Sequence, residues 1–152
     1  MGKDLKALID EIGQIRSEME AVVGRIDPGK IIYPGWTIKE IIGHIIAWEI
    51  IIDKALIAYR KGDPPYFLRE QDFDLFNEEA VVLRRGRSLE EVLQEWKTVR
   101  DKMIKTIKKL KIDDLDVEMV LPWGSERTVT ELIEIAGEHE SEHMEDIIKI
   151  LG

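Results

Sequence analysis

Two of the three histidines in this 152-residue chain, His139 and His143, stand four residues apart in the stretch ERTVTELIEIAGEHESEHMEDIIKIL; the third, His44, lies in GWTIKEIIGHIIAWEIII. On a helix, a spacing of four puts both imidazoles on one face a turn apart, where they can share a divalent metal. Three protein ligands leave a coordination position for water or a thiolate, and the metal lowers the pKa of what binds there, supplying a nucleophile near neutral pH. The chain contains no cysteine. That excludes disulfides, a thiol nucleophile and Cys-ligated zinc or iron–sulfur centres, so any such site must use His and carboxylates. Each histidine has a plainer reading. His44 alone reads as a hydrogen-bonded core residue, and His139 and His143 as surface residues paired with Glu138, Glu140 or Glu142. Their convergence on one metal is the central expectation.

The elements that must position them follow from periodicity. From about Leu5 to Gly24, apolar residues recur at three and four among charged ones, an amphipathic first helix. Two Pro and two Gly within the nine residues 27–35 then make a loop. Thr37 with Glu40 is a capping-box pair opening a second helix to about Arg60, apolar around most of its circumference as a helix packed between others would be. Gly62-Asp-Pro-Pro ends it. A long crossover, Tyr66 to Arg87, contains one short helix, Phe73 to Leu83, and lets the next long helix run parallel to the last. Ser88 with Glu91 opens that third long helix, whose end carries Lys105, Lys108, Lys109 and Lys111 on an exposed face. Residues 113–127 read as a loop with a brief extended piece, Val117 to Leu121. Thr128 with Glu131 starts the last helix, which runs to about Leu151.

Four long helices with one long connection predict an all-α four-helix bundle built as one domain over residues 1–152. At a rise of about 1.5 Å per residue, His44 lies ~10 Å below the top of the second helix, and His139 and His143 lie ~16 and ~22 Å into the last one. With the two helices antiparallel and level over ~36 Å, His44 falls ~25 Å along the last helix, beside His143. Parallel helices would miss by one to two turns. His44 shares its face with Ile41, Trp48, Ile51 and Ala55, and His139 and His143 share theirs with Leu132, Ile135, Ala136 and Ile150. Glu40 and Asp146 flank these stripes and are expected to orient a ligand imidazole, accept a proton, or serve as spare ligands. Glu40 is also simply a cap partner, and Glu49 reads as solvated or paired. The four tryptophans read as core and loop anchors. A ferritin-like di-iron centre needs two Glu-x-x-His motifs. Glu140-Ser-Glu-His143 supplies one, while Ala136 and Ile41 stand where His139 and His44 would need theirs. No serine stands in a nucleophile-elbow context.

The formal net charge of −9 argues against a nucleic-acid partner or an anionic membrane surface. The N-terminus lacks a signal-peptide hydrophobic run, and His44 and Glu49 interrupt the Ile-rich stretch, so a soluble cytoplasmic protein is expected. The partners admitted are a small-molecule substrate and a homodimer.

Gly35-Trp-Thr-Ile-Lys-Glu-Ile-Ile-Gly-His44-Ile-Ile-Ala-Trp-Glu, Phe73-Asp-Leu-Phe-Asn-Glu-Glu, Arg87-Ser-Leu-Glu-Glu-Val-Leu and Thr128-Val-Thr-Glu-Leu-Ile-Glu-Ile-Ala-Gly-Glu-His139-Glu-Ser-Glu-His143 together resemble the DinB/YfiT-like superfamily, over nearly the whole chain. The most specific part is one His in the second helix paired with His-x-x-x-His in the last. The resemblance implies an up-down-down-up bundle with the crossover between helices two and three. It implies His44, His139 and His143 as ligands of one divalent ion, zinc or nickel. It also implies transfer, hydrolysis or isomerisation of small electrophilic or thiol-linked molecules, with bacillithiol or mycothiol as co-substrates in some members. The middle stretch resembles the branch of colibactin self-protection proteins. A metal-dependent transferase or hydrolase is therefore expected, with a non-catalytic binding protein and a purely structural metal as the alternatives.

Overall fold

Three of the long helices start where a hydroxyl residue is followed three positions later by Glu. The Ser88 hydroxyl accepts from the Glu91 N–H at 3.1 Å while the Ser88 N–H donates to the Glu91 carboxylate at 3.1 Å. Thr128 and Glu131 repeat the exchange at 3.1 Å each way. At the third start, Glu40 accepts from the N–H and the hydroxyl of Thr37, at 2.8 and 2.7 Å. Such caps satisfy N–H groups that have no intrahelical partner and stabilise a helix by about 1 kcal/mol each.

The computed structural model describes residues 3–69 and 72–152, so residues 70 and 71 of the expected crossover lie outside the described residues. In chain order the elements are α1 (Leu5–Val23), α2 (Ile38–Lys61), α3 (Phe73–Leu83), α4 (Leu89–Lys108), a 3-10 turn (Ile112–Asp114), β1 (Glu118–Val120), β2 (Glu126–Thr128) and α5 (Val129–Leu151). The expected loop at 113–127 is thus partly an antiparallel hairpin, with Met119 opposite Arg127. Its second strand, Glu126-Arg127-Thr128, is too short and too polar to show a period of two. Gly124, with φ +97°, turns the hairpin, and the Leu68 N–H donates to Pro122 O at 2.9 Å, tying the crossover to that turn.

Helix directions follow from who packs with whom. One core cluster joins Leu8 and Ile12 of early α1 to Ile52 and Leu56 of late α2, Met103 and Ile107 of late α4, and Leu132 and Ile133 of early α5. The other joins Met19 and Val22 of late α1 to Ile41 and Ile45 of early α2, Val92 and Trp96 of early α4, and Met144 and Ile147 of late α5. Hence α1 and α5 run one way and α2 and α4 the other: an up-down-down-up four-helix bundle with its long crossover between α2 and α4. The antiparallel relation of α2 and α5 that the histidine depths required is present. α1 and α5 approach closely where Gly137 faces Ile12 and Ile15: a Cβ there would meet Ile15 Cδ1 at 3.1 Å.

Between the two clusters, at mid-height, lies a charged layer with one residue from each long helix. Arg16 donates to Glu140 through Nε at 2.8 Å and to Glu49 through Nη2 at 2.9 Å, and Arg100 Nε donates to Glu49. Trp96 Nε1 donates to Glu140 at 3.2 Å, and the Arg16 guanidinium stacks 4.2 Å from the Trp96 ring. Arg100 Nη2 lies 3.7 Å from Glu140, within ion-pair reach but beyond a hydrogen bond. The two guanidiniums neutralise the two carboxylates, which is what allows four charges in the interior. Glu49 is therefore paired and buried. Glu140, fully buried, is not a partner for the histidines, and it is unavailable to a di-iron centre. No helix among the described residues is long and apolar enough to cross a membrane.

Candidate metal centre

His44 leaves α2 and His139 and His143 leave α5 toward one another, on the flank of the bundle facing α3 and the hairpin. His139 Nε2 lies 2.8 Å from His44 Nε2 and 3.1 Å from His143 Nε2. The Nδ1 sides point outward, and their partners determine the tautomers. Asn77 Oδ1 lies 2.8 Å from Trp48 Nε1 and 3.0 Å from His44 Nδ1. An indole N–H can only donate, so the amide atom facing it is oxygen, and His44 Nδ1 must donate to the same oxygen. His44 Nε2 is then a bare lone pair. On the other side Tyr33 Oη donates to Asp146 at 2.5 Å and lies 2.9 Å from His143 Nδ1. Its one proton is committed to Asp146, so it accepts from His143 Nδ1–H, and His143 Nε2 is also bare. Burial, then the Asp146 carboxylate, push the Tyr33 phenol above its ordinary pKa and keep that proton in place.

Two bare nitrogens thus face His139 Nε2, which can donate at most one proton and satisfy one of them. A shared cation satisfies all three. Donors bound about 2.0–2.1 Å from a tetrahedral zinc ion lie about 3.3–3.4 Å from one another, so an ion would need the His139–His44 and His139–His143 pairs, at 2.8 and 3.1 Å, to open by only a few tenths of an ångström. The three residues could therefore hold a metal ion, their ligand atoms all lying within 4.8 Å of one another. Burial first, and then the neighbouring imidazoles, push His44 down to about 4 and His139 to about 3. Burial also lowers His143, against the pull of Asp146 and Glu142. Neutral imidazoles are the form a metal binds.

These shifts have a consequence for metal-free protein. Below about pH 6.5 the unfolded chain takes up protons at His44 and His139 that the folded chain refuses until about pH 4 and 3, so stability falls on acidification through that window. Chelator-treated protein is expected to show a melting temperature that drops steadily from pH 6.5 to 4, steeper than in a His44→Gln/His139→Gln variant. Equal slopes in the two proteins would contradict the buried neutral state.

The flanking carboxylates expected beside the site have different fates. Asp146 reaches His143 only through Tyr33, and Glu40 is held at the Thr37 cap. The groups that touch the outer nitrogens, Tyr33 and Asn77, were missed because they come from a loop and from α3, 110 and 33 residues from the histidines they meet. The Pro-Gly turn after Tyr33 and the polar Asn77 among the aromatics of 73–76 were the only signals in the chain itself. A cavity of about 340 Å3 opens against His44 and His139, lined by Trp48, Phe73, Asn77 and Trp123 together with Glu138 and Glu142.

The protein is thus a four-helix bundle whose second and last helices aim at one point three imidazoles that could hold a metal ion beside a cavity. The chain belongs to the DinB superfamily, whose family model matches residues 11–147. Comparison with curated protein sequences returns no match. Among solved structures, an uncharacterised protein from Escherichia coli UTI89 is 15% identical, with 98% of this chain and 93% of that one covered and a TM-score of 0.76. The colibactin self-resistance protein ClbS, solved in complex with a dsDNA, is 14% identical, with 99% and 97% covered and a TM-score of 0.79. A mycothiol-dependent maleylpyruvate isomerase is 12% identical, with 95% of this chain and 61% of that one covered and a TM-score of 0.79. At these identities the likeness is one of fold.

The ClbS complex corrects the expectation that a nucleic-acid partner is excluded. Net charge is a sum over the whole surface, whereas a phosphate backbone senses charge within about 8–10 Å. An acidic chain can carry a local basic strip, and Lys102, Lys105 and Lys108 on the last two turns of α4 and Lys109 at its C-cap are all exposed.

Proposed function

We propose that His44, His139 and His143 together bind one divalent ion, zinc or nickel, and that the site serves a metal-dependent transfer or hydrolysis of a small molecule held in the adjoining cavity. The observation that carries this reading is the convergence of the three Nε2 atoms with two outer nitrogens pinned by Asn77 and Tyr33. Imidazole donors suit zinc and nickel. When bound, such an ion polarises a substrate atom or brings a bound water or thiol toward deprotonation near neutral pH. The chain's own groups do the rest. Asn77 holds His44 and Tyr33 holds His143 with Nε2 bare, Trp48, Phe73 and Trp123 exclude water from an apolar substrate body, and Asp146 keeps the Tyr33 proton away from His143. Opening onto a cavity favours this reading over a purely structural tie, which would be closed on all sides. Elemental analysis of untagged protein is expected to find about one ion per chain; protein that takes up none from added zinc or nickel would overturn the reading.

Tyr33→Phe is expected to weaken metal binding about 10–100-fold, the usual loss when a group orienting a ligand imidazole is removed, with helical circular dichroism unchanged. Unaltered affinity in a competition titration would show that Tyr33 does not orient His143.

A second reading, binding of duplex DNA, is favoured by the exposed lysines at the end of α4. It predicts anisotropy-detected binding of a short duplex at 50 mM salt that weakens steeply by 200 mM. No binding at 50 mM would eliminate it.

A further inference from the structure

The cavity beside the histidines has a charge character of its own. Trp48 stands at 89° to Phe73 with ring centroids 5.4 Å apart, and at 70° to Trp123 at 5.9 Å. These rings come from α2, α3 and the hairpin turn, so three separate elements wall one space, and Ile52 and Ile135 complete its apolar surface. A volume of about 340 Å3 suits a small ligand. The only charged side chains in its lining are Glu138 and Glu142, one turn apart on the exposed side of α5; no Lys or Arg among the described residues contributes. Neighbouring acids on the same helix are paired, Glu134 with Lys3, Glu131 with Arg127 and Asp146 with Lys149. Glu138 and Glu142 have no such cation within 4.0 Å among the described residues.

We propose that this cavity selects small molecules with a flat apolar or aromatic body and a protonated amine, the body lying against the wall that the Trp48, Phe73 and Trp123 rings form and the ammonium group meeting Glu138 and Glu142. The inference deepens the reading of the site as a small-molecule centre and rests on it. In the metal-free chain an anionic ligand would bring its charge against two carboxylates that no Lys or Arg offsets, and a neutral one would gain nothing from them. An ammonium gains from both, and the electron-rich ring faces add to the attraction.

Calorimetric titration of the chelator-treated full chain, in which no metal can ligate a carboxylate, with three indoles tests this: tryptamine, 3-methylindole and indole-3-propionate share one ring and differ in charge. Tryptamine is expected to bind about tenfold or more tighter than the propionate at low salt, a difference of about 1.4 kcal/mol, with 3-methylindole between them. Glu138→Gln/Glu142→Gln should bring the three within about threefold, and Trp123→Ala should weaken all of them. Equal or tighter binding of the propionate, a preference that survives the double variant, or no binding of any indole at millimolar concentration would overturn the proposal. Zinc uptake measured on the same protein reports separately on the metal centre: amine preference in a chain that takes up no added zinc would sink the metal reading and leave this one standing.

Discussion

Replacing His139 by alanine is expected to lower affinity for zinc or nickel by more than about 100-fold, beyond the 10–100-fold cost of losing an orienting neighbour. His139 is the middle donor, with one nitrogen 2.8 Å from His44 Nε2 and 3.1 Å from that of His143, so its removal leaves two ligands on opposite helices with no bridge between them. His44→Ala should cost a similar amount and also leave the Asn77 amide with only Trp48 as its donor. Competition against a chromogenic chelator measures both. Undiminished affinity in either variant would remove that residue from the site.

The second large effect is on stability. Glu140→Ala is expected to cost about 3–5 kcal/mol, because it leaves the Arg16 guanidinium buried with only Glu49 against it and Trp96 Nε1 without an acceptor. In a chain of this size that corresponds to a fall in melting temperature of roughly 10 °C. Chelator-treated protein is the right sample, since metal binding would add its own stabilisation. The Arg16→Met/Glu140→Met pair, which removes both charges together, should lose much less than the sum of the single changes. Additive losses would mean that the two residues act independently and that the charged layer is not a unit.

The layer and the histidines share α5 in a way that explains its sequence. Glu140 lies about 100° around the helix from His139, so α5 turns one side to Arg16 and the core while presenting the histidines to α2 and the cavity. Arg16 of α1 and Arg100 of α4 hold Glu140, and Glu49 of α2 holds both arginines in turn, which sets the rotation of α5 at the height where His139 and His143 must point.

Local chemistry written in the chain determined most of the fold. The pairs Thr37 and Glu40, Ser88 and Glu91, and Thr128 and Glu131 lie three residues apart and mark helix starts without reference to any other part of the protein. The short helix Phe73–Leu83 lies where the crossover was expected to hold one, and its first N–H groups are capped by Asp72. The meeting of the histidines was legible because helical rise is constant: depth along two helices plus antiparallel packing leaves little freedom. Tertiary structure alone decided what surrounds them. Glu49 and Glu140 look like surface charges to any local criterion, and only the approach of Arg16 and Arg100 from other helices makes their burial tolerable. Tyr33 and Asn77 become orienting groups only when a loop and α3 fold over the α2–α5 seam. Glu40 is kept at its helix start by the cap it makes, and Asp146 acts on the site at one remove. Partner choice was the least legible, because overall charge carries no information about where on the surface that charge lies.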